Sequence, residues 1–278
     1  MKIVKLWGHD FWEGIWKRRI YFLLPLMAAL FSGIGLHAKM TIFKELHNVG
    51  TGSVMDYWIY LVQGGKQYKF DIYTMFQIPV RWMCFHVFVL IGLNNYPLQD
   101  LQGWGYQVLL KSKSRWNWWL SKILWCCSYV ACYYLICLFM VTVYAVANGA
   151  SLTLQPSMDV MNMVSRTGFL DCSMKRLLCI VFVLPALLSV FLGILQMVLS
   201  VCIKPIYSFM VLFALLVIST YKRSWLLLGN WGMPYRMIPV QKHGLDPKLC
   251  LLLLLCGIFI SIAWGYLIFR KKDILEKP

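Results

Sequence analysis

SRWNWWLSKILWCCSYVACYYLICLFMVTVYAVA, Ser114–Ala147, is the stretch that decides the fold. From Ile123 to Ala147 it carries no charged residue, which is enough to cross a hydrocarbon slab about 30 Å thick, where a helix needs roughly 20 apolar residues. Just before that run, Arg115 and Lys122 stand among Trp116, Trp118, Trp119 and Trp125. Cations mixed with indoles suit the headgroup layer, where an amphipathic ring can keep one edge wet. A helix that is apolar all round, with a basic aromatic collar at one end, is a membrane span.

Composition extends this reading to the whole chain. Of 278 residues, 60% are apolar and 14% charged, and the mean hydropathy is +0.65, far from soluble domains. Runs of comparable character with charged or indole flanks predict six spans, at about 20–36, 74–93, 123–147, 177–201, 206–220 and 249–269. The expected fold class is all-α: one polytopic membrane domain, residues 1–278, with six transmembrane helices. The fifth run is short, and the second is interrupted by Pro79 and Arg81.

Lys17-Arg18-Arg19 before the first span and Arg270-Lys271-Lys272 after the last mark the cytoplasmic side by the positive-inside bias. Both termini are then cytoplasmic, as are residues 94–122 and a short turn near Lys204. The outer segments are 37–73, 148–176 and 221–248, too short for a large external domain. Residues 1–19 place Val4, Trp7, Phe11 and Ile15 on one helical face and Lys2, His9 and Glu13 opposite, predicting an amphipathic helix in the inner interface. The basic segment before the first span is too long for a signal peptide, and LHAKM is a poor cleavage site, so the first span is expected to be retained.

Several function classes lose support at this point. The formal net charge of +16 is scattered between spans rather than gathered on a soluble surface, which suits anionic lipid headgroups and not nucleic acid. His9, His37, His47, His86 and His243 are too dispersed for a His-Glu-x-x-His zinc helix, and no Gly-x-Ser-x-Gly elbow occurs. Gly64-Gly65-Lys66 lacks the upstream glycine and the following hydroxyl of a phosphate loop. Of the 10 cysteines only Cys172 lies in an outer segment, and no pair has metal-ligand spacing, so neither a disulfide frame nor a metal site is expected.

What remains is the feature-rich loop NNYPLQDLQGWGYQVLLKSKSRWNWWLSK between the second and third spans. With its Ser-Arg-x(6)-Lys ending, the N-terminal amphipathic helix, the short fifth span, the broken outer segment SWLLLGNWGMPYRM (Ser224–Met237) and the tail FRKKDIL (Phe269–Leu275), the chain resembles the transmembrane permease subunit of a type-2 ATP-binding-cassette exporter. The resemblance covers the whole chain. It implies that residues 94–122 form a cytoplasmic coupling loop that docks on a separate ATPase, with Leu101, Gly103, Trp104, Gly105, Gln107, Leu109, Leu110 and Lys111 at the contact. Lys113, Arg115, Trp116, Trp118, Trp119 and Lys122 would then hold that element at the membrane surface. Gly103 and Gly105 would allow close backbone approach or a sharp turn, and residues 221–248 would be an outer re-entrant segment.

The same resemblance implies partners: ATPase subunits carrying ATP and Mg²⁺, a second permease copy or related chain, and membrane lipids. No cofactor is expected on this chain, and the home is a bacterial plasma membrane. Cargo would be hydrophobic or amphipathic, a peptide, drug or lipid, as in small permeases of antimicrobial-peptide export or immunity. Arg81 and His86, being ionisable inside a span, are candidates to line the pathway; snorkelling of Arg81 to the headgroups is the plainer reading. Two other classes stay open, a membrane-embedded lipid-modifying enzyme and a non-transporting adaptor or sensor.

Overall fold

A computed structural model describes residues 2–47, 50–66, 76–112, 114–165, 172–238, 240–241 and 243–271. Among these there is no β-strand, only isolated bridges pairing Ser53 with Ser151 and Met237 with Leu245. The helices are α1 (Lys2–Phe11), α2 (Leu23–His47), α3 (Val54–Val62), α4 (Val80–Leu93), α5 (Tyr96–Gln102), α6 (Trp104–Ser112), α7 (Arg115–Ala147), α8 (Met174–Leu178), α9 (Leu184–Cys202), α10 (Pro205–Tyr221) and α11 (Pro247–Lys271).

Among the described residues four helical stretches are long and apolar enough to cross a membrane: Arg19–Glu45, Arg115–Ala147, Met174–Cys202 and Pro247–Lys271. Helix α10 is shorter, at 17 residues. Their outer faces carry large apolar side chains that water would not tolerate in such a row. On α11 a single stripe, Cys250, Leu254, Ser261, Gly265 and Phe269, is buried, while Leu252, Phe259, Trp264 and Leu267 are exposed. This is a membrane protein whose exposed apolar faces are built for lipid.

Helix α9 is the hub, packed by α4, α7, α10 and α11. Close approach requires Gly193, because a Cβ there would lie 2.6 Å from Leu93 Cδ1 and 2.7 Å from Cys126 Sγ; small residues let membrane helices touch backbone to backbone. Pro185 has no N–H for the Val181 carbonyl one turn earlier, and the chain widens into a π-turn at Cys179–Val183. That carbonyl instead accepts the indole N–H of Trp58, at 3.1 Å. The ten cysteines are free thiols, with Cys126, Cys137 and Cys250 buried as apolar filler.

Element bounds differ from the expectations in four places. Helix α7 starts at Arg115, so the basic aromatic stretch is the first two turns of the helix rather than the end of a loop. The first span runs on to His47 instead of ending near Leu36, since nothing in HAKMTIFKEL breaks a helix. The expected span 74–93 is helical only from Val80, because Pro79 cannot extend a helix backwards and disfavours helical geometry at Ile78. At 14 residues α4 is about 21 Å long, and residues 74–75 lie outside those described.

The fourth difference is α3, in a segment expected to be an outer loop. All nine of its residues are buried. Its start is fixed by Ser53 and Asp56, which accept reciprocally from each other's backbone N–H, while Asp56 Oδ1 also accepts the Ser157 N–H at 3.0 Å. Burial pushes the Asp56 carboxyl from 3.8 up to about 6, against the opposing pull of those backbone amides. A raised folded value means the native state holds the proton more tightly, so stability falls as pH rises from about 4 to about 6 and is level above, by about 3 kcal/mol in all. The expected result is that the melting temperature in detergent drops more steeply between pH 4.5 and 7 for the wild type than for Asp56→Asn. Parallel slopes would refute that carboxyl as the source.

Candidate coupling site

The end of the molecule that carries α1 also carries α5, α6, the first turns of α7 and the last turn of α11. Its centre is Lys122. This lysine sits about two turns into α7 with 1% of its side chain exposed, a position no ammonium occupies without counter-charges. Two carboxylates meet it: Asp10 of α1, and Asp100 of α5 with Oδ2 at 2.7 Å. The Tyr96 hydroxyl donates to Asp10 Oδ1 at 2.8 Å, and the Trp118 indole N–H donates to Asp100 Oδ2 at 2.9 Å. Burial, with Asp10 and Asp100 next to it, pushes the Tyr96 phenol up, so it stays a neutral donor.

Further contacts fasten the same elements. His9 stacks on Trp104 with centroids 3.6 Å apart, Trp7 donates to Ser128 Oγ at 3.0 Å, and Arg18 pairs with Gln99. Arg115 donates to the Phe269 and Arg270 carbonyls at 2.9 and 2.8 Å, so it closes the C-terminal end of α11, where carbonyls lack helical partners. Trp118 stacks on Phe269 and Trp119 donates to the Ile262 carbonyl at 3.1 Å. Ligand atoms of His9, Asp10 and Asp100 lie within 4.8 Å of one another, the spread of a metal-binding set. Both carboxylates are engaged by the Lys122 ammonium, however, so the donor set holds a side-chain cation.

These contacts revise the expected roles. Lys122, Trp118 and Trp119 were expected at the membrane surface; all three are buried, the indoles because α11 covers them and the lysine because the acids do. Arg115 is a helix cap, while Trp116 is exposed. Of the expected docking surface, Leu101, Gly105 and Leu109 are buried against the body of the protein at spacings of four residues, and Gly103, Trp104 and Gln107 face outward. A Cβ on Gly105 would stand 2.3 Å from Asp100 Oδ2 and 2.7 Å from Trp118 Nε1, so the close approach at Gly105 is to this chain's own side chains. Gly103 makes the corner between α5 and α6. The side chains of Leu110 and Lys111, and all of Lys113, lie outside the described residues.

Arg81 and His86 are not brought together. The Arg81 guanidinium lies 3.6 Å over the Tyr60 ring and its Nε donates to the Tyr60 carbonyl at 3.1 Å, tying α4 to α3. His86 is buried and its Nδ1 pairs with Ser189 Oγ of α9 at 3.0 Å, a hydroxyl shared with Tyr134.

Residues 26–275 match the family model described as Protein of unknown function (DUF2705). The chain belongs to the DUF2705 family. No curated protein and no solved structure matches it. In this DUF2705 protein the residues that sequence reasoning missed are Asp10, Tyr96 and Asp100. One signal pointed to them: a lysine at the head of a long apolar helix, in a chain with only 11 acidic residues, needs an acid brought in from elsewhere.

Proposed function

We propose that this DUF2705 protein is the membrane-spanning permease subunit of an ATP-binding-cassette exporter. It would move a hydrophobic or amphipathic cargo across a bacterial plasma membrane. The observation that carries the reading is the short α5–α6 pair between α4 and α7. Its outward face, Gly103, Trp104 and Gln107, is exposed, although the Trp104 ring also stacks on His9, while its inward face is fastened to α1 and α7 through Asp100 and Lys122. An element exposed on one side and ion-paired to a long span on the other transmits a push as a rigid body. In this reading α4 and α10 are the second and fifth of six spans, both termini are cytoplasmic, and residues 221–248 dip into the outer leaflet.

ATP and Mg²⁺ belong to the partner ATPase, and a second permease completes the pathway. Closure of two ATPase subunits on ATP would drive α5–α6 against α7 and rock the spans between two access states, a change driven by differential binding of nucleotide to those states. The enzyme reading needs unengaged carboxylates, whereas Asp10 and Asp100 are both held by Lys122.

The test is gentle purification of the tagged chain from its native host, with mass spectrometry of co-purifying chains and an ATP hydrolysis assay. A stoichiometric partner bearing a phosphate loop is the expected result. Its reproducible absence from preparations that retain other membrane complexes would move the assignment to an enzyme or an adaptor.

A further inference from the structure

At the end of the molecule remote from α1, two of the long apolar helices begin side by side, one at Met174 and the other at Pro247. Between their first turns lies a cavity of about 490 Å³, in the size range of small-molecule sites. Its lining carries Lys175, Arg176 and Lys248, with Asp246 the single acid among the described residues there, and also includes Cys179 and Leu251. Asp246 Oδ1 accepts the backbone N–H of Lys248 at 3.0 Å, so that carboxylate caps its own helix. Among the described residues none of the three cations makes an ion pair or a side-chain hydrogen bond. Among the described lining residues, three cations less one acid leave two positive charges beside Cys179 and Leu251, and the positive ends of two helix dipoles add to them.

Two helix starts fix the depth of this cavity. Both helices are apolar below their first turn, so the cavity lies where hydrocarbon gives way to water. Leu252, next to Leu251 on the same helix, is exposed. A soluble anion would use the cations and leave Cys179 and Leu251 uncovered. An anionic amphiphile lying in the membrane uses both.

We propose that this cavity binds the phosphodiester headgroup of an anionic phospholipid. Lys175, Arg176 and Lys248 hold the phosphate, and Cys179 and Leu251 receive the first methylenes of the acyl chains. The site requires the chain to be in a membrane, and it is independent of any ATPase partner.

The experiment is native mass spectrometry of the full chain from phosphatidylcholine micelles doped with phosphatidylglycerol. The wild type is expected to retain one phosphatidylglycerol in preference to phosphatidylcholine. The variant Lys175→Gln/Arg176→Gln/Lys248→Gln should lose roughly tenfold or more of that retention, given what each cation contributes at an anionic surface. Leu251→Trp, which fills the cavity and leaves every cation in place, should lose it too. Lys39→Gln/Lys44→Gln, two exposed cations of α2, should retain the lipid as the wild type does. Unchanged retention in the triple variant or in Leu251→Trp would overturn the site, as would equal loss in the α2 control. Displacement of the lipid by glycerol phosphate at concentrations equal to phosphatidylglycerol itself would assign the cavity to a soluble anion instead.

Discussion

Lys122→Met is expected to lower the stability of the protein by about 3–5 kcal/mol, the cost of removing one partner from a buried ion-paired group. The substitution keeps most of the side-chain volume and removes the charge, leaving Asp10 and Asp100 facing each other without a cation in a site where both are buried. Thermal unfolding in detergent, followed by the fluorescence of the 13 tryptophans, measures the loss. Freed of its ion pair, α1 should also come off α7, so that trypsin cleaves at Lys5 and Lys17 faster than in the wild type. The triple variant Asp10→Asn/Asp100→Asn/Lys122→Met removes all three charges and is expected to recover much of the stability, because a neutral cluster has no desolvated charge to satisfy. An unchanged melting temperature for Lys122→Met would mean that the three residues are not buried together.

Arg236→Met is expected to cost about as much, through unmade hydrogen bonds rather than unpaired acids. Arg236 is fully buried, and among the described residues no carboxylate pairs with it. It donates to the carbonyls of Ser219 and Thr220 at 2.5 Å each, of Lys222 at 3.2 Å and of Gly65 at 3.1 Å, and also to the Asn230 side chain. The first three are the C-terminal carbonyls of α10, which have no helical donors, and a cation there also meets the negative end of the helix dipole. One guanidinium therefore ends α10 and ties it to the loop after α3. In Arg236→Met the buried carbonyls of Ser219 and Thr220 lose this donor, while Lys222 keeps the Asn230 amide at 3.0 Å, and amide exchange should speed up both in the last turn of α10 and around Gly65. Arg236→Lys keeps the charge but has no planar fork to reach four carbonyls, so it should recover only part of the loss. Full recovery by lysine would show that charge alone, and not the hydrogen-bond geometry, holds the segment.

The all-α membrane character was legible because it rests on long runs: α7, α9 and α11 are each apolar over more residues than a soluble helix needs. Short elements were not. Helix α3 is as apolar as a span but only nine residues long, and its burial depends on neighbours that no local pattern reveals. The second span was drawn too long because hydropathy averages across Pro79, whereas a proline acts on single residues. In the candidate site the resemblance implied one docking helix, whereas the chain turns at Gly103 between α5 and α6, and which face points outward was settled by packing. Lys122 shows the limit most directly: next to three indoles its sequence neighbourhood is that of a surface anchor, and only the acids at positions 10 and 100 turn it into a buried brace. Arg115 and Arg236 were read as headgroup or outer-segment cations for the same reason, since the carbonyls they cap lie on other helices.

The central claim, that the outward face of α5–α6 receives an ATP-hydrolysing partner, is tested most directly by photocrosslinking in the native host. A benzophenone amino acid is placed at Trp104, which is 40% exposed, and in a control chain at Leu226, which is 88% exposed at the remote end. The account predicts that position 104 crosslinks to a protein carrying a phosphate loop and that position 226 does not. Crosslinks from position 104 to lipid alone, or to the same proteins as position 226, would contradict it.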